Sequence, residues 1–308
     1  MPNVNVNCRF FRGRLASING ISTLNVGRTD LIRSAITVGA LGFGDLVRHG
    51  LRSFGWHMVN SISLLIFTDN RSGNLSVSDF FSNMDSSEMG DASYKLGMTL
   101  TKIIAEKKLD IPWLAHVELM MKLGVIKLTQ GSHERGDLVG RDRSKDWHVL
   151  EAKGRSSPPS TGLFTKAKRQ AARITGINGI RPLSNSACIV KLYQNPIAID
   201  LWDPEGNNKN ITTFEMDESE FINGYYRIVK SVVSSKNMES VRLDDLEFKV
   251  SYFHTNDSLI GLGLESRIFE NSHNAYSVAK NLIKFKDVSA DLNEPSIGAD
   301  GIYLKIMK

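Results

Sequence analysis

Residues 136–153 constrain the fold of this chain more than any other stretch. Gly136-Asp-Leu-Val-Gly-Arg and Trp147-His-Val-Leu-Glu-Ala-Lys are strand-like runs separated by Asp142-Arg-Ser-Lys-Asp146, a segment rich in turn formers. The pattern predicts a β-hairpin folded about Ser144, with Asp137 opposite Glu151, Leu138 opposite Leu150 and Val139 opposite Val149. Strand side chains alternate, so Asp137, Val139, Val149, Glu151 and Lys153 fall on one face, and Leu138, Leu150 and Ala152 on the other. Apolar residues on both faces imply strands buried in a sheet covered on two sides. Two carboxylates in such a place carry a large desolvation cost unless something compensates them.

The rest of the chain frames this hairpin. Its 308 residues suit a core at 91–205 with α/β extensions at 1–90 and 206–308, an α/β (α+β) architecture with a mixed sheet flanked by helices. Asp91-Ala-Ser followed by Leu96, Leu100, Ile103 and Ile104 predicts an amphipathic helix over 92–108, and Pro112 opens a second over 113–123, ended by Gly124. A short strand is expected at 125–128. Beyond the hairpin, Ser156-Ser-Pro-Pro-Ser-Thr-Gly reads as a loop, 163–174 as a helix, and 187–193 and 197–202 as strands. Upstream, 8–16 and 61–68 read as strands, the glycine-rich 35–46 as a buried helix or helix pair, and the polar 71–91 as a loop. Downstream, helices are expected at 219–234 and 274–284, with strands at 248–253, 259–269 and 301–306.

Bulk properties exclude more than they assert. Hydrophobic residues at 41% and charged residues at 23% are those of a folded globular protein. A net charge of +5 and a pI near 9.1 suit a polyanionic partner. Two cysteines, Cys8 and Cys188, give neither a disulfide framework nor a zinc spacing, which points to a reducing cytoplasmic setting. No early segment reads as a secretory signal or spans a bilayer, so no membrane association is expected.

Glu-x-Lys occurs three times, at Glu106, Glu151 and Glu247. At Glu106 it lies at a helix end, read as solvated charge. At Glu247 the upstream acids Asp244 and Asp245 are too close in sequence to lie on a partner strand. Only at Glu151 does a second acid, Asp137, come from an opposed strand. Opposed side chains sit roughly 4.5–5.5 Å apart at Cβ, close enough to share a hard divalent cation. The opposing reading is a buried Asp-Lys-Glu salt-bridge cluster holding no metal.

Asp137, thirteen intervening residues, then Glu151-Ala-Lys153-Gly154, flanked by helices, resembles the PD-(D/E)xK phosphodiesterase superfamily, the restriction-endonuclease-like fold. Gly136 stands where the family name has proline. The resemblance covers about residues 91–205 and implies Asp137, Glu151 and Lys153 as the catalytic set, with Asp137 and Glu151 binding Mg²⁺, for which Mn²⁺ can substitute. It also implies a helix glutamate at the metal, with Glu118 the first choice and Glu106 the second. Nucleic-acid contacts are expected from His133, Arg155, Lys166, Lys168, Arg169, Gln170 and Arg173, with Glu134 and Ser156 as further neighbours. The activity implied is metal-dependent hydrolysis of DNA phosphodiesters in a setting such as bacterial restriction or anti-phage defence, with room for a defence-system partner protein and a homo-oligomer. The alternatives are a catalytically idle nuclease-fold protein that binds nucleic acid or a partner, and an RNA nuclease.

Overall fold

The computed structural model describes residues 1–38, 51–130, 136–158, 162–203, 212–234, 237–254, 258–282 and 294–307, side chains of 51–57 excepted. Among them the chain begins with β1 (Asn3–Arg9), β2 (Gly20–Asn25), α1 (Arg28–Thr37), α2 (Leu51–Phe67), β3 (Thr68–Arg71), β4 (Asn74–Val77) and α3 (Asp79–Ser82). The middle holds α4 (Ser86–Leu109), β5 (Trp113–His116), α5 (Val117–Lys122), β6 (Lys127–Gln130), β7 (Leu138–Arg141), β8 (Trp147–Arg155), α6 (Leu163–Ala171), β9 (Ile174–Ile177), β10 (Ser184–Lys191) and β11 (Ala198–Trp202). Then follow β12 (Thr212–Glu215), α7 (Glu218–Val233), β13 (Met238–Leu243), β14 (Leu246–His254), β15 (Leu259–Glu265), α8 (Ser266–Glu270), α9 (Ala275–Asn281), β16 (Ser296–Ile297) and β17 (Ile302–Met307).

The main sheet is mixed, in the order β3-β4-β1-β11-β10-β8-β7-β5, with β2 added on β1. The central hairpin forms as read: Leu138 pairs with Leu150, Val139 with Val149, and Arg141 with Trp147. β10 then lies parallel to β8, the chain having crossed between them through α6. The N-terminal strands are part of this same sheet, because β1 runs parallel to β11. Two smaller sheets, β6-β12-β9 and β13-β14-β15-β17-β16, complete the α/β architecture.

The long helix α4 covers one sheet face. Leu96, Leu100 and Ile103 share a core with Leu138, Leu150, Ala152, Cys188 and Val190. Helix and sheet meet where two glycines face each other, and a Cβ on Gly97 or Gly154 would collide with the other element's backbone. On the opposite face, Val139, Val149 and Trp147 pack with α7 through Phe221 and with Ile174.

Several expectations need correction. Residues 61–68 are not a strand, since α2 runs to Phe67 and buries Met58, Ser61, Leu64 and Phe67, a three-residue helical spacing. The first strand lies earlier than 8–16, burying alternate Val4, Val6 and Cys8, and a 3₁₀ helix occupies Gly13–Ile18. The polar 71–91 segment holds β4, α3 and the start of α4, which Asp85 caps by accepting from the backbone N–H groups of Ser87 and Glu88. Trp113–His116 is a fully buried strand paired to β7, and only 117–122 is helical. Helix α6 stops at Ala171, so Ile174 belongs to β9, and Arg173 is buried instead of lying on an outer basic face. Strand β15 ends at Glu265 and gives way to α8. Of the glycine-rich 35–46, residues 35–37 close α1 and those from 39 onward lie outside the described residues.

Glu106 is also corrected: it is buried in an ion network, not solvated. Arg33 of α1 donates to both its carboxylate oxygens, at 3.2 and 3.3 Å, and the Ala299 N–H donates at 2.8 Å. Lys102 lies 3.9 Å from Glu106 and 3.7 Å from Asp300, while the Tyr225 hydroxyl donates to Asp300 at 2.6 Å. This network ties α1, α4, α7 and the 296–302 segment together.

Candidate active site

Asp137, Glu151 and Lys153 come together where β7 begins and β8 nears its end. The ladder closes at Leu138–Leu150, and Asp137 stands in a bend one residue beyond it. Two backbone hydrogen bonds fix the pair: the Asp137 N–H donates to Glu151 Oε2 at 3.2 Å, and the Ala152 N–H donates to Asp137 Oδ2 at 3.1 Å. Lys153 Nζ sits 3.7 Å from Asp137 Oδ2 and forms a close ion pair with Glu151 Oε1.

The burial of the three differs sharply. Glu151 is 0% exposed, whereas the side chains of Asp137 and Lys153 are 23% and 25% exposed. Glu151 Oε1 is buried against the Lys153 ammonium. Burial, and then the Asp137 charge, push the Glu151 carboxyl up to about 7, against the opposing pull of Lys153. A buried carboxylate beside a second one, with a single amine between them, is under-compensated.

Tyr94 and His116, which spacing alone did not single out, flank this pair. His116 ends β5, opposite Leu138, and the following N–H, that of Val117, donates to the Asp137 carbonyl at 3.0 Å. Its Nδ1 accepts from the Glu118 N–H at 3.2 Å, so the neutral ring carries its proton on Nε2, which lies 3.3 Å from the Tyr94 hydroxyl. Burial, then the charges of Asp137, Glu118 and Glu151, raise the Tyr94 hydroxyl above its ordinary range. Tyr94 lies one turn before Gly97, the helix position that touches β8.

A cleft of about 310 Å³ opens beside Lys153, lined by Gly90, Tyr94, Ala152, Gly154, Arg155, Leu163, Lys166 and Gln170. Lys153, Arg155 and Lys166 thus place three cationic side chains around one concavity. Gln170 also faces it, with a buried Oε1 that takes no hydrogen bond. Lys168 and Arg169 lie on α6 but do not line the cleft, and Arg173 is buried past the helix end. His133 and Glu134 fall outside the described residues.

Glu118 stands half exposed, 3.6 Å from Lys122, while Glu106 belongs to the Arg33 network. Among the described residues, no three His, Cys, Asp or Glu side chains converge on one ion position. Mg²⁺ does not require such a cage, because it is held by one or two carboxylates and completes its shell with water and phosphate oxygens. Asp137 and Glu151 fit that donor set. The hairpin tip is a separate ion cluster, in which buried Asp142 accepts from the Asp146 N–H at 2.8 Å and lies 3.2 Å from His148 Nε2.

Among the described residues no helix is long and apolar enough to cross a membrane. In comparisons with known proteins, no family model, no curated protein and no solved structure matches this chain.

Proposed function

We propose that this protein is a divalent-metal-dependent deoxyribonuclease of the PD-(D/E)xK kind. The observation that carries the reading is the pair Asp137 and Glu151, two carboxylates that share a single lysine, Lys153, at the mouth of a cationic cleft. The order of elements supports it too: a long helix, the antiparallel β5, β7 and β8, a crossing helix, then β10 parallel to β8.

Asp137 and Glu151 would hold the cation, here Mg²⁺ or Mn²⁺, which supplies Lewis acidity and lowers the pKa of a bound water. Lys153 offsets the negative charge of the carboxylates and is placed to stabilise charge developing on the scissile phosphate. Arg155 and Lys166 bind flanking phosphates and fix the backbone in the cleft without reading sequence. A setting in restriction or anti-phage defence belongs to the same proposal, as does a partner protein.

The test is incubation of the protein with plasmid, linear and single-stranded DNA in Mg²⁺ or Mn²⁺, beside Glu151→Gln and Lys153→Ala. Cleavage that needs the metal and falls by at least about 100-fold in each variant is expected, the scale of losing a charge-stabilising group. Equal cleavage by wild type and variants would sink the assignment, and DNA binding with no cleavage in any metal would establish the idle nuclease-fold alternative.

A further inference from the structure

The sheet face that carries Glu151 does not end at the cleft. Directly paired strand residues share a face, and the pairing Glu151–Ala187–Trp202–Arg9 runs in one row across β8, β10, β11 and β1. Three strand spacings of roughly 4.8 Å separate Glu151 from Arg9, a span of about 14 Å. Helix α6 covers the β8–β10 part of this face. Beyond it the face opens, with Asn5 and Arg9 exposed on β1 and Ile21 78% exposed on β2.

Aromatic rings gather at the edge of that opening. Phe164 of α6 stacks on Trp202 with centroids 4.0 Å apart, Phe10 meets Trp202 edge-on at 5.8 Å, and the Arg9 guanidinium lies 5.8 Å from the same ring. Phe10 is 54% exposed and adopts a left-handed φ of 69°, a conformation unfavourable for a bulky residue, while presenting its ring to solvent. Burial does not account for it. The charged groups around the rings include the exposed Arg9 and Arg12, Asp200 paired with Lys191 at 2.6 Å, and Asp203, which feels the Arg12 charge and accepts from the Asn185 N–H at 2.9 Å, so Arg9 is the cation that lies on the rings themselves. Surface aromatics interleaved with arginine suit unpaired nucleobases, whose faces stack on the rings while the backbone meets the cations.

We propose that Phe10, Trp202 and Phe164, with Arg9, form a stacking platform for unpaired bases of single-stranded DNA, a few nucleotides from the phosphate held near Lys153. The proposal rests on the nuclease reading for its choice of DNA and names the substrate class of that site as single strands or single-stranded ends. A duplex keeps its base faces stacked internally and offers this platform only its backbone.

The test reads binding without cleavage. A short fluorescein-labelled oligo(dT), the same length of duplex, and oligo(U) are titrated with metal-free protein in EDTA, following both probe anisotropy and tryptophan emission. Single-stranded DNA is expected to bind tighter than duplex and to quench tryptophan emission, with the quench lost in Trp202→Phe. Phe10→Ala, at an exposed position that leaves the core intact, is expected to weaken oligo(dT) binding roughly 5- to 150-fold, the range for one base–aromatic stack, with Phe10→Trp restoring it. Unchanged oligo(dT) affinity in Phe10→Ala, or an equal loss for duplex, would overturn the platform. Tighter binding of oligo(U) would overturn its assignment to DNA. Glu151→Gln should retain this binding, so a failed nuclease reading and a failed platform give different results.

Discussion

Two buried glutamates, each opening a Glu-x-Lys tripeptide, end in opposite electrostatic states. Glu106 is met by an arginine donating to both its oxygens, by Lys102 and by a backbone N–H; burial opposes its ionisation, but these partners outweigh it and hold the carboxyl below the ordinary range. Glu151 is equally buried, yet it faces a second carboxylate and one lysine, and its carboxyl is pushed upward. The same tripeptide therefore sits in two different electrostatic settings. Where every charge has an internal partner the cluster holds elements together, and where two carboxylates share one lysine the excess negative charge suits the cation of the proposed site.

The largest effect should come from breaking the compensated side. Arg33→Ala leaves Glu106 and Asp300 short of a counter-charge in a fully buried setting, which is expected to cost about 3–5 kcal/mol. Urea denaturation followed by circular dichroism measures it. A loss below about 1 kcal/mol, the range of a surface pair, would mean the network is not the compensated structure its contacts describe.

Adding metal should shift the other side. Mg²⁺ at about 100 times its dissociation constant is expected to stabilise the fold by about 2.7 kcal/mol, seen as a rise in Tm, and to do nothing for Glu151→Gln. Because protons compete for Glu151, Mg²⁺ affinity should climb with pH up to about 7 and level off above it. A pH-independent Mg²⁺ affinity between pH 5 and 8 would place the ion elsewhere.

Without metal, the raised Glu151 carboxyl has its own signature. The unfolded chain ionises this group near 4.5, while the folded chain keeps its proton until about 7. The folded state therefore binds more protons in that window, and stability falls as pH rises through it, the deficit being complete above pH 7. Glu151→Gln removes the charge to be desolvated, so at pH 8 the metal-free variant should exceed wild type by on the order of 1–3 kcal/mol and lose this slope. Tm measured from pH 4.5 to 8.5 in EDTA distinguishes the two, and a variant less stable than wild type at pH 8 contradicts the under-compensation of the site.

The sequence made one of these sides visible and hid the other, for a physical reason. The Glu151 site is built from a hairpin, whose period-two alternation and turn residues encode register locally, so the pairing of Leu138 with Leu150 could be read directly. The Glu106 network depends on Arg33 and Asp300, which lie far away in sequence at either side, and no local pattern records such a meeting. Residues 61–68 misled because Ile and Leu at adjacent positions suit a strand and a buried helix alike, and only packing against neighbouring elements decides. Trp113–His116 misled in the opposite sense: the proline before it resembles a helix start, but pairing with β7 overrides local preference. Tyr94 stayed hidden because an aromatic at helical spacing ordinarily belongs to a core.

Tyr94 offers the smallest and finest test of the comparison. His116 Nδ1 accepts the Glu118 N–H, which leaves Nε2 as the protonated nitrogen and makes the Tyr94 oxygen its acceptor. The hydroxyl hydrogen is then available to the cleft, beside Lys153. Tyr94→Phe removes both roles, and the loss of one neutral hydrogen bond is expected to cost about 0.5–1.5 kcal/mol of stability. The conservative change keeps the ring that packs where α4 meets β8, so cleavage should fall several-fold while the affinity for DNA in EDTA stays unchanged. A variant with wild-type turnover and the lower stability would confine Tyr94 to a structural role like that of Glu106. Reduced turnover at unchanged DNA affinity would extend the proposed site from the two carboxylates and Lys153 to the helix that packs across them.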